Sequence, residues 1–232
     1  MFGQKKKNRP IEFGPFPLEK LPRDTSLLDK ERNHPKISSR QQNYYPTTPL
    51  EKSAHKYRKI FEDHKTGTVC SRKAPVPDDL SRRVRDIKGA GYFLDASQMG
   101  ICDLPENGWL KGEKTPPDHS HAIVILVEYG KQIEKDNLAC SWVQEAQADI
   151  ALTRAAEIST VMGGYIGALG FQAECHWQNS TRVDIDRLAV LSGLAIRQED
   201  GLVNPFVGRE FALAVVTTNY ALPPDLPLAQ ST

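Results

Sequence analysis

The spacing of hydrophobic and polar positions changes along this chain, and each change predicts an element. From Pro77 the pattern is that of a folded domain. Leu80, Val84 and Ile87 recur on one helical face, and Asp78 or Asp79 stands where a cap belongs, so a helix is expected through about Phe93. Met99–Leu104 reads as a short strand. Ala122–Glu128, AIVILVE, is an uninterrupted apolar run, as expected of a central strand buried on both faces. Val143, Ala146, Ile150, Ile158, Met162, Ile166 and Leu169 fit helical spacing and predict one long helix over about Val143–Leu169. Gly163, Gly164 and Gly167 each weaken that helix relative to alanine, which implies close packing against another backbone, and Gly170 is placed to stop it. Phe171–His176 follows as a strand, and Asp184–Leu191 as a helix capped near Asp184 and ended by Gly193. Leu202–Phe206 and Phe211–Thr218 follow as strands joined through Val207–Arg209.

The order is helix, strand, strand, long helix, strand, helix, strand, strand. It predicts an α/β (α+β) fold with a single mixed sheet flanked by helices. This domain is expected over residues 76–232.

Residues 1–75 are different. They hold 8 of the 16 prolines and few periodic apolar positions. Pro10, Pro15, Pro17 and Pro22 surround Phe13, Phe16, Leu18 and Leu21. Proline blocks helix interiors and sheet ladders, so the reading is an extended arm, docked through its apolar residues. One short helix is expected over Ser53–Asp63, with Tyr57, Ile60 and Phe61 on one side.

Composition is that of an ordinary globular protein, with 25% charged and 39% apolar residues. Charge is uneven: residues 1–75 carry 17 Lys and Arg against 8 Asp and Glu, and the remainder 13 against 21. A basic arm lying across an acidic body accounts for this by Coulomb attraction. Tyr44, Tyr45, Tyr57 and Phe61 interleave with the basic residues, but no repeated module accompanies them, so nucleic acid is not the expected partner. No apolar run reaches the roughly 18 residues that span a bilayer. The start, MFGQKKKNRP, has no apolar segment after its basic cluster, so a cytoplasmic location without membrane contact is expected.

Candidate chemistry is sparse. Cys70, Cys102, Cys140 and Cys175 lie far apart and read as buried reduced thiols rather than metal or cluster ligands. His119 and His121 form an H-x-H pair before the central strand, with no third ligand at motif spacing, so no metal site is expected. The glycines of MGGYIGALG lie inside a helix and make no phosphate loop. No nucleophile motif and no acid–base pair is recognisable, so no catalytic residue is assigned.

Several stretches resemble reductive dehalogenases, the corrinoid and iron–sulfur enzymes that remove halogen from organic halides. Ala90–Leu104, AGYFLDASQMGICDL, resembles their helix-to-strand segment. Tyr165–Ala173, YIGALGFQA, resembles their "IRxLGYxA", and Leu188–Leu194 their "LAxxAGLG". Asn204–Thr218 resembles "TPxxGPxxRLxxVxTD". The arm segment FGPFPLEKLPR resembles the N-terminus of catabolic members. The resemblance implies a nitroreductase-like, corrinoid-binding fold.

The departures shape the expected role. A helix tyrosine that catalytic members use as proton donor falls here at Leu152. The basic residue before the final strand falls at Ala212, with Arg209 shifted nearby, and Asn179 lies where an active-site asparagine stands. The cysteine-rich cluster segment that follows Leu188–Leu222 in the family does not follow here before Thr232. The resemblance therefore implies a non-catalytic module, like the cofactor-free N-terminal copy in catabolic members, that packs against a catalytic dehalogenase half and holds no cofactor. The alternative is a cobalamin-binding oxidoreductase subunit fed by a separate iron–sulfur protein, with Asn179 and Arg209 at the corrinoid. A flavin-using, nitroreductase-like enzyme is a third reading, by fold analogy alone.

Overall fold

A computed structural model describes residues 9–39, 45–130, 133–134, 136–143 and 146–230. In chain order the elements are α1 Ser26–Asn33, α2 Pro49–Arg58, α3 Leu80–Phe93, β1 Gln98–Asp103, β2 His121–Glu128, α4 Cys140–Val143, α5 Gln147–Ala168, β3 Ala173–Trp177, α6 Ile185–Leu191, β4 Ile196–Gln198, β5 Gly201–Val203 and β6 Phe211–Thr218. The α/β class expected from the sequence holds. Within it, the main sheet has the order β1-β2-β6-β3 and is antiparallel at every pairing, where a mixed sheet had been expected, and β4 and β5 form a separate two-stranded hairpin.

The sheet is three layers' centre. Alternation along β2 sends Ile123, Ile125 and Val127 to one face and Ala122, Val124 and Leu126 to the other. The first set packs with α5, α3 and the β6 residues Ala212, Ala214 and Val216. The second meets α6, Leu18 of the arm and Trp109. Residues Ala122–Leu126 are fully buried, the Ile, Val and Leu side chains each contributing on the order of 1.5–3 kcal/mol.

Each outer strand is contacted on part of its free side. Asp225 exchanges bonds with Ile101 of β1 through its backbone and its carboxylate, each 2.8 Å. Lys65 accepts from Cys175 of β3 at 2.9 Å, and Thr66 bridges Glu174.

The caps follow the sequence. Asp79 accepts from Ser81 N at the start of α3, and Asp184 from Arg187 N at the start of α6. Leu80, expected on the buried side of α3, is 42% exposed because it sits in the first turn, ahead of the core contact at Ile87. The helix expected from Val143 begins at Gln147, and Val143 ends the short α4; Ile150 is exposed in the first turn of α5. Gly170, at φ +88, stops that helix. Gly167 is where α5 meets another backbone: a Cβ there would lie 2.9 Å from Thr68 O of the arm.

The N-terminal segment is docked, and it carries more helix than its prolines suggest. Short 3-10 turns at Ile11–Phe13 and Leu18–Lys20 alternate with extended chain, but α1 and α2 are α-helices. The helix expected at Ser53–Asp63 runs Pro49–Arg58 and then tightens into a 3-10 turn over Lys59–His64. Its start is a capping box: Thr48 accepts from Glu51 N, and the Glu51 carboxylate accepts from Thr47 and Thr48 N. Near the other end, the expected strand Leu202–Phe206 shortens to β5, since Asn204 and Gly208 close a tight loop with reciprocal backbone bonds of 2.8 and 3.0 Å. No helix among the described residues is long and apolar enough to cross a membrane.

Candidate functional site

A groove of about 580 Å³ runs between the end of α1, the strap 34–39, the turn at 178–181 and the start of α6. That volume suits a drug-sized ligand. Its floor is a charge network. Arg187, in the first turn of α6, lies 3.4 Å from Asp184 and 3.7 Å from Glu31, and Arg197 lies 3.3 Å from the other Glu31 oxygen. Arg187 and Glu31 are almost completely buried, and each charge is tolerated through its partners, Asp184 and Glu31 for the arginine and Arg187 and Arg197 for the glutamate. Arg187 also donates to Pro35 O at 2.9 Å and to Asn107 O, which ties α6 to the strap. Asn107 Nδ2 donates in turn to the carbonyls of Glu31, Arg32 and His34, closing the C-terminus of α1. Arg187 Nε, placed between two carboxylates, makes no hydrogen bond.

Beside the groove, β3, β6 and the entry to β2 bring two histidines onto one hydroxyl. His119 Nδ1 is 2.9 Å and His176 Nε2 3.2 Å from Thr217 Oγ1. Trp109 packs against both rings, and Arg182 lies over Trp109 while binding Glu174 and Glu113. Burial holds His176 well below the ordinary imidazole range, with Lys65, Arg182 and His119 adding to the effect. Burial lowers His119 as well, helped by Arg182, and it lowers His121.

The residues singled out from the sequence part company here. Asn179 lines the groove, exposed, at φ +68 in the turn closed by Trp177 and Ser180. Arg209 does not line it. Its guanidinium donates to Asp200 O at 2.9 Å and Gln198 Oε1 at 3.1 Å, bracing the β4–β5 hairpin. The two lie on different features, Asn179 on the groove wall and Arg209 on the β4–β5 hairpin. Leu152 and Ala212 are both buried in the apolar core between α5 and the sheet.

His119 and His121 take separate partners, Thr217 and Ser120, and no group of three or more His, Cys, Asp or Glu among the described residues can hold a metal ion. No disulfide joins the four cysteines; Cys102 and Cys175 are buried, Cys140 is half-buried and Cys70, expected buried, is exposed. Burial pushes the Cys175 thiol up to about 12 and holds the Cys102 thiol well above its ordinary value, so both favour the unreactive thiol form. Tyr44 and the lysines at 5–7 lie outside the described residues.

Sequence reading missed Glu31, Arg187, His176 and Thr217. The last two sit in apolar strands, where only the alternation of a polar residue with valine or cysteine marks them. Glu31 and Arg187 meet across 156 positions, and no local pattern joins them.

No family model matches the chain, and no curated protein does. Solved structures do. The N-terminally tagged catabolic reductive dehalogenase NpRdhA is 33% identical with a TM-score of 0.83, over 100% of this chain and 32% of that one. A reductive dehalogenase structure described as suggesting a mechanism for B12-dependent dehalogenation is 35% identical with a TM-score of 0.84, over the same shares. An epoxyqueuosine reductase bound to a tRNA stem loop is 12% identical with a TM-score of 0.50, over 65% of this chain and 49% of that one, a likeness of fold alone.

Proposed function

Because this chain belongs to the reductive dehalogenase family yet spans 32% of the length of the solved members it matches, we propose that it is a non-catalytic module of such an enzyme, a scaffold that packs against a catalytic half. The observation that carries this reading is the burial of Leu152 and Ala212. These are the positions at which the resemblance puts a proton-donating tyrosine and a basic residue, and both face the apolar core. A general acid must reach the reacting atom; side chains at these two positions pack on α5 and β6 instead. The engagement of Arg209 in bracing the β4–β5 hairpin supports the same reading.

The test is reconstitution with hydroxocobalamin followed by gel filtration, alongside co-expression with a corrinoid- and cluster-bearing dehalogenase polypeptide. The module reading expects no retained corrin absorption and a stable complex with the second chain. Stoichiometric retention of the corrinoid by the isolated chain overturns it in favour of the cobalamin-binding subunit.

A further inference from the structure

A chain of three side chains leads from the surface into the core at one end of the sheet. His119 is half-buried, whereas Thr217 and His176 are fully buried. The far nitrogen of the His176 ring, Nδ1, accepts from the backbone N–H of Arg182 at 3.5 Å. A neutral imidazole has one donor and one acceptor nitrogen. The contact with Arg182 therefore assigns the tautomer: Nε2 carries the hydrogen and donates to Thr217 Oγ1. The threonine hydroxyl is then left to donate to His119 Nδ1 at 2.9 Å, nearer than the carbonyl of Glu174 at 3.4 Å.

In this closed arrangement a second proton on His176 has nowhere to go. It would sit on Nδ1 and point at the Arg182 N–H, donor against donor. The groups around the ring give it no compensation. Lys65 approaches from the arm with Glu62 paired to it, and His119 from the entry to β2 with Asp118 beside it. The Arg182 guanidinium approaches from the turn, held by Glu113. The carboxylate on the same strand, Glu174, accepts two bonds from Arg182 at 2.8 and 2.9 Å. Trp109 meets the ring edge-on with centroids 5.9 Å apart. A buried imidazolium among cations is strongly disfavoured.

The Arg182 N–H that donates to His176 lies at the end of a turn, where Arg182 O also accepts from Leu110 N at 2.9 Å. Ser180 N donates to Trp177 O at 2.9 Å, Lys65 Nζ donates to Ser180 O at 2.6 Å, and the turn carries Gln178, Asn179 and Thr181 onto the groove wall. We propose that His176 is a proton-triggered latch: on taking a proton at Nδ1 it releases the Arg182 N–H and opens the 178–182 turn, reshaping that wall. Acid favours the open form because only the open form can hold the extra proton; the latch is closed above the ordinary imidazole range and opens below it. This follows from the contacts of one ring and does not rest on the family reading.

Amide hydrogen exchange of the full chain from pH 5 to 8, corrected for intrinsic exchange, tests it. Peptides covering 178–184 should lose at least tenfold protection as pH falls below about 6.5, while β2 and β6 amides stay slow. In His176→Asn, whose side-chain oxygen can accept from Arg182 but cannot ionise, that loss should vanish. Nitrogen-15 NMR of the unmodified protein supplies a second readout should the variant fold poorly: His176 should show the Nε2–H tautomer at pH 8 and titrate together with the turn. Protection that persists while His176 protonates overturns the latch. So does loss that spreads equally to β2 and β6, or that follows His119→Gln instead.

Discussion

Arg58 and Asp149 meet at 2.8 Å with side chains 5% and 3% exposed, joining α2 of the N-terminal segment to the first turn of α5. The same guanidinium donates to Thr153 Oγ1 at 3.0 Å and to Asp149 O. Breaking one half of such a buried pair strands the other charge, at about 3–5 kcal/mol. Arg58→Ala should therefore lower unfolding stability by that amount in a denaturant titration. Arg58→Leu combined with Asp149→Leu should cost clearly less than either change alone. Losses that add from the two single changes would mean the pair is not coupled.

The three helix glycines separate by what surrounds them. A Cβ at Gly164 meets nothing within 4 Å, so Gly164→Ala should stabilise by up to about 1 kcal/mol, the difference in helix propensity. A Cβ at Gly167 would press on the backbone oxygen of Thr68 at 2.9 Å, and one at Gly163 on Cys175 Sγ at 2.5 Å. Gly167→Ala and Gly163→Ala should each destabilise by about 1–3 kcal/mol, as overpacking does. Thermal melts of the three variants should place only Gly164→Ala above the parent.

Asn204 is the hub of the loop before β6. Its amide exchanges bonds with Gln98 at 3.1 and 2.6 Å, donates to Leu194 O, and accepts from the N–H groups of Phe206 and Val207. Asn204→Leu leaves several buried polar groups unpaired at about 1–3 kcal/mol each. Its melting temperature should fall well below that of Arg209→Ala, which removes an exposed brace. A melt of Asn204→Leu within a degree or two of the parent would show the network to be dispensable.

Stability should also report the buried imidazoles. His119, His121 and His176 are all held below their ordinary value of 6.5 in the folded chain. The unfolded chain binds those protons more readily, so stability rises with pH across this range. Unfolding free energy should be fully developed above about pH 6.5 and decline as pH falls beneath it. Replacing His176 with Asn should flatten part of that slope; an unchanged slope would remove His176 from the account.

What the sequence disclosed was whatever a local pattern fixes. Asp79, Asp184 and Gly170 act where their positions indicated, and AIVILVE is the buried central strand. The N-terminal segment was harder to read. The helix SLLDKERN has little apolar periodicity and is held by Glu31 reaching Arg187 and Arg197, contacts that no window of sequence contains. Thr48 and Glu51, by contrast, were a legible capping signal that places α2 earlier than its aromatic residues suggested. The His119–Thr217–His176 chain forms only once β3 pairs with β6, so spacing along the chain does not announce it.

The contacts that Asp225 makes with Ile101, and Lys65 and Thr66 with β3, occupy part of each outer strand's free side. A sheet with open margins invites strands from neighbouring molecules and with them fibres and swapped dimers. At the contacted positions a strand from a neighbouring molecule would have to displace bonds already made before it could extend the ladder, so the chain's own arm and C-terminal segment act as guards of its sheet.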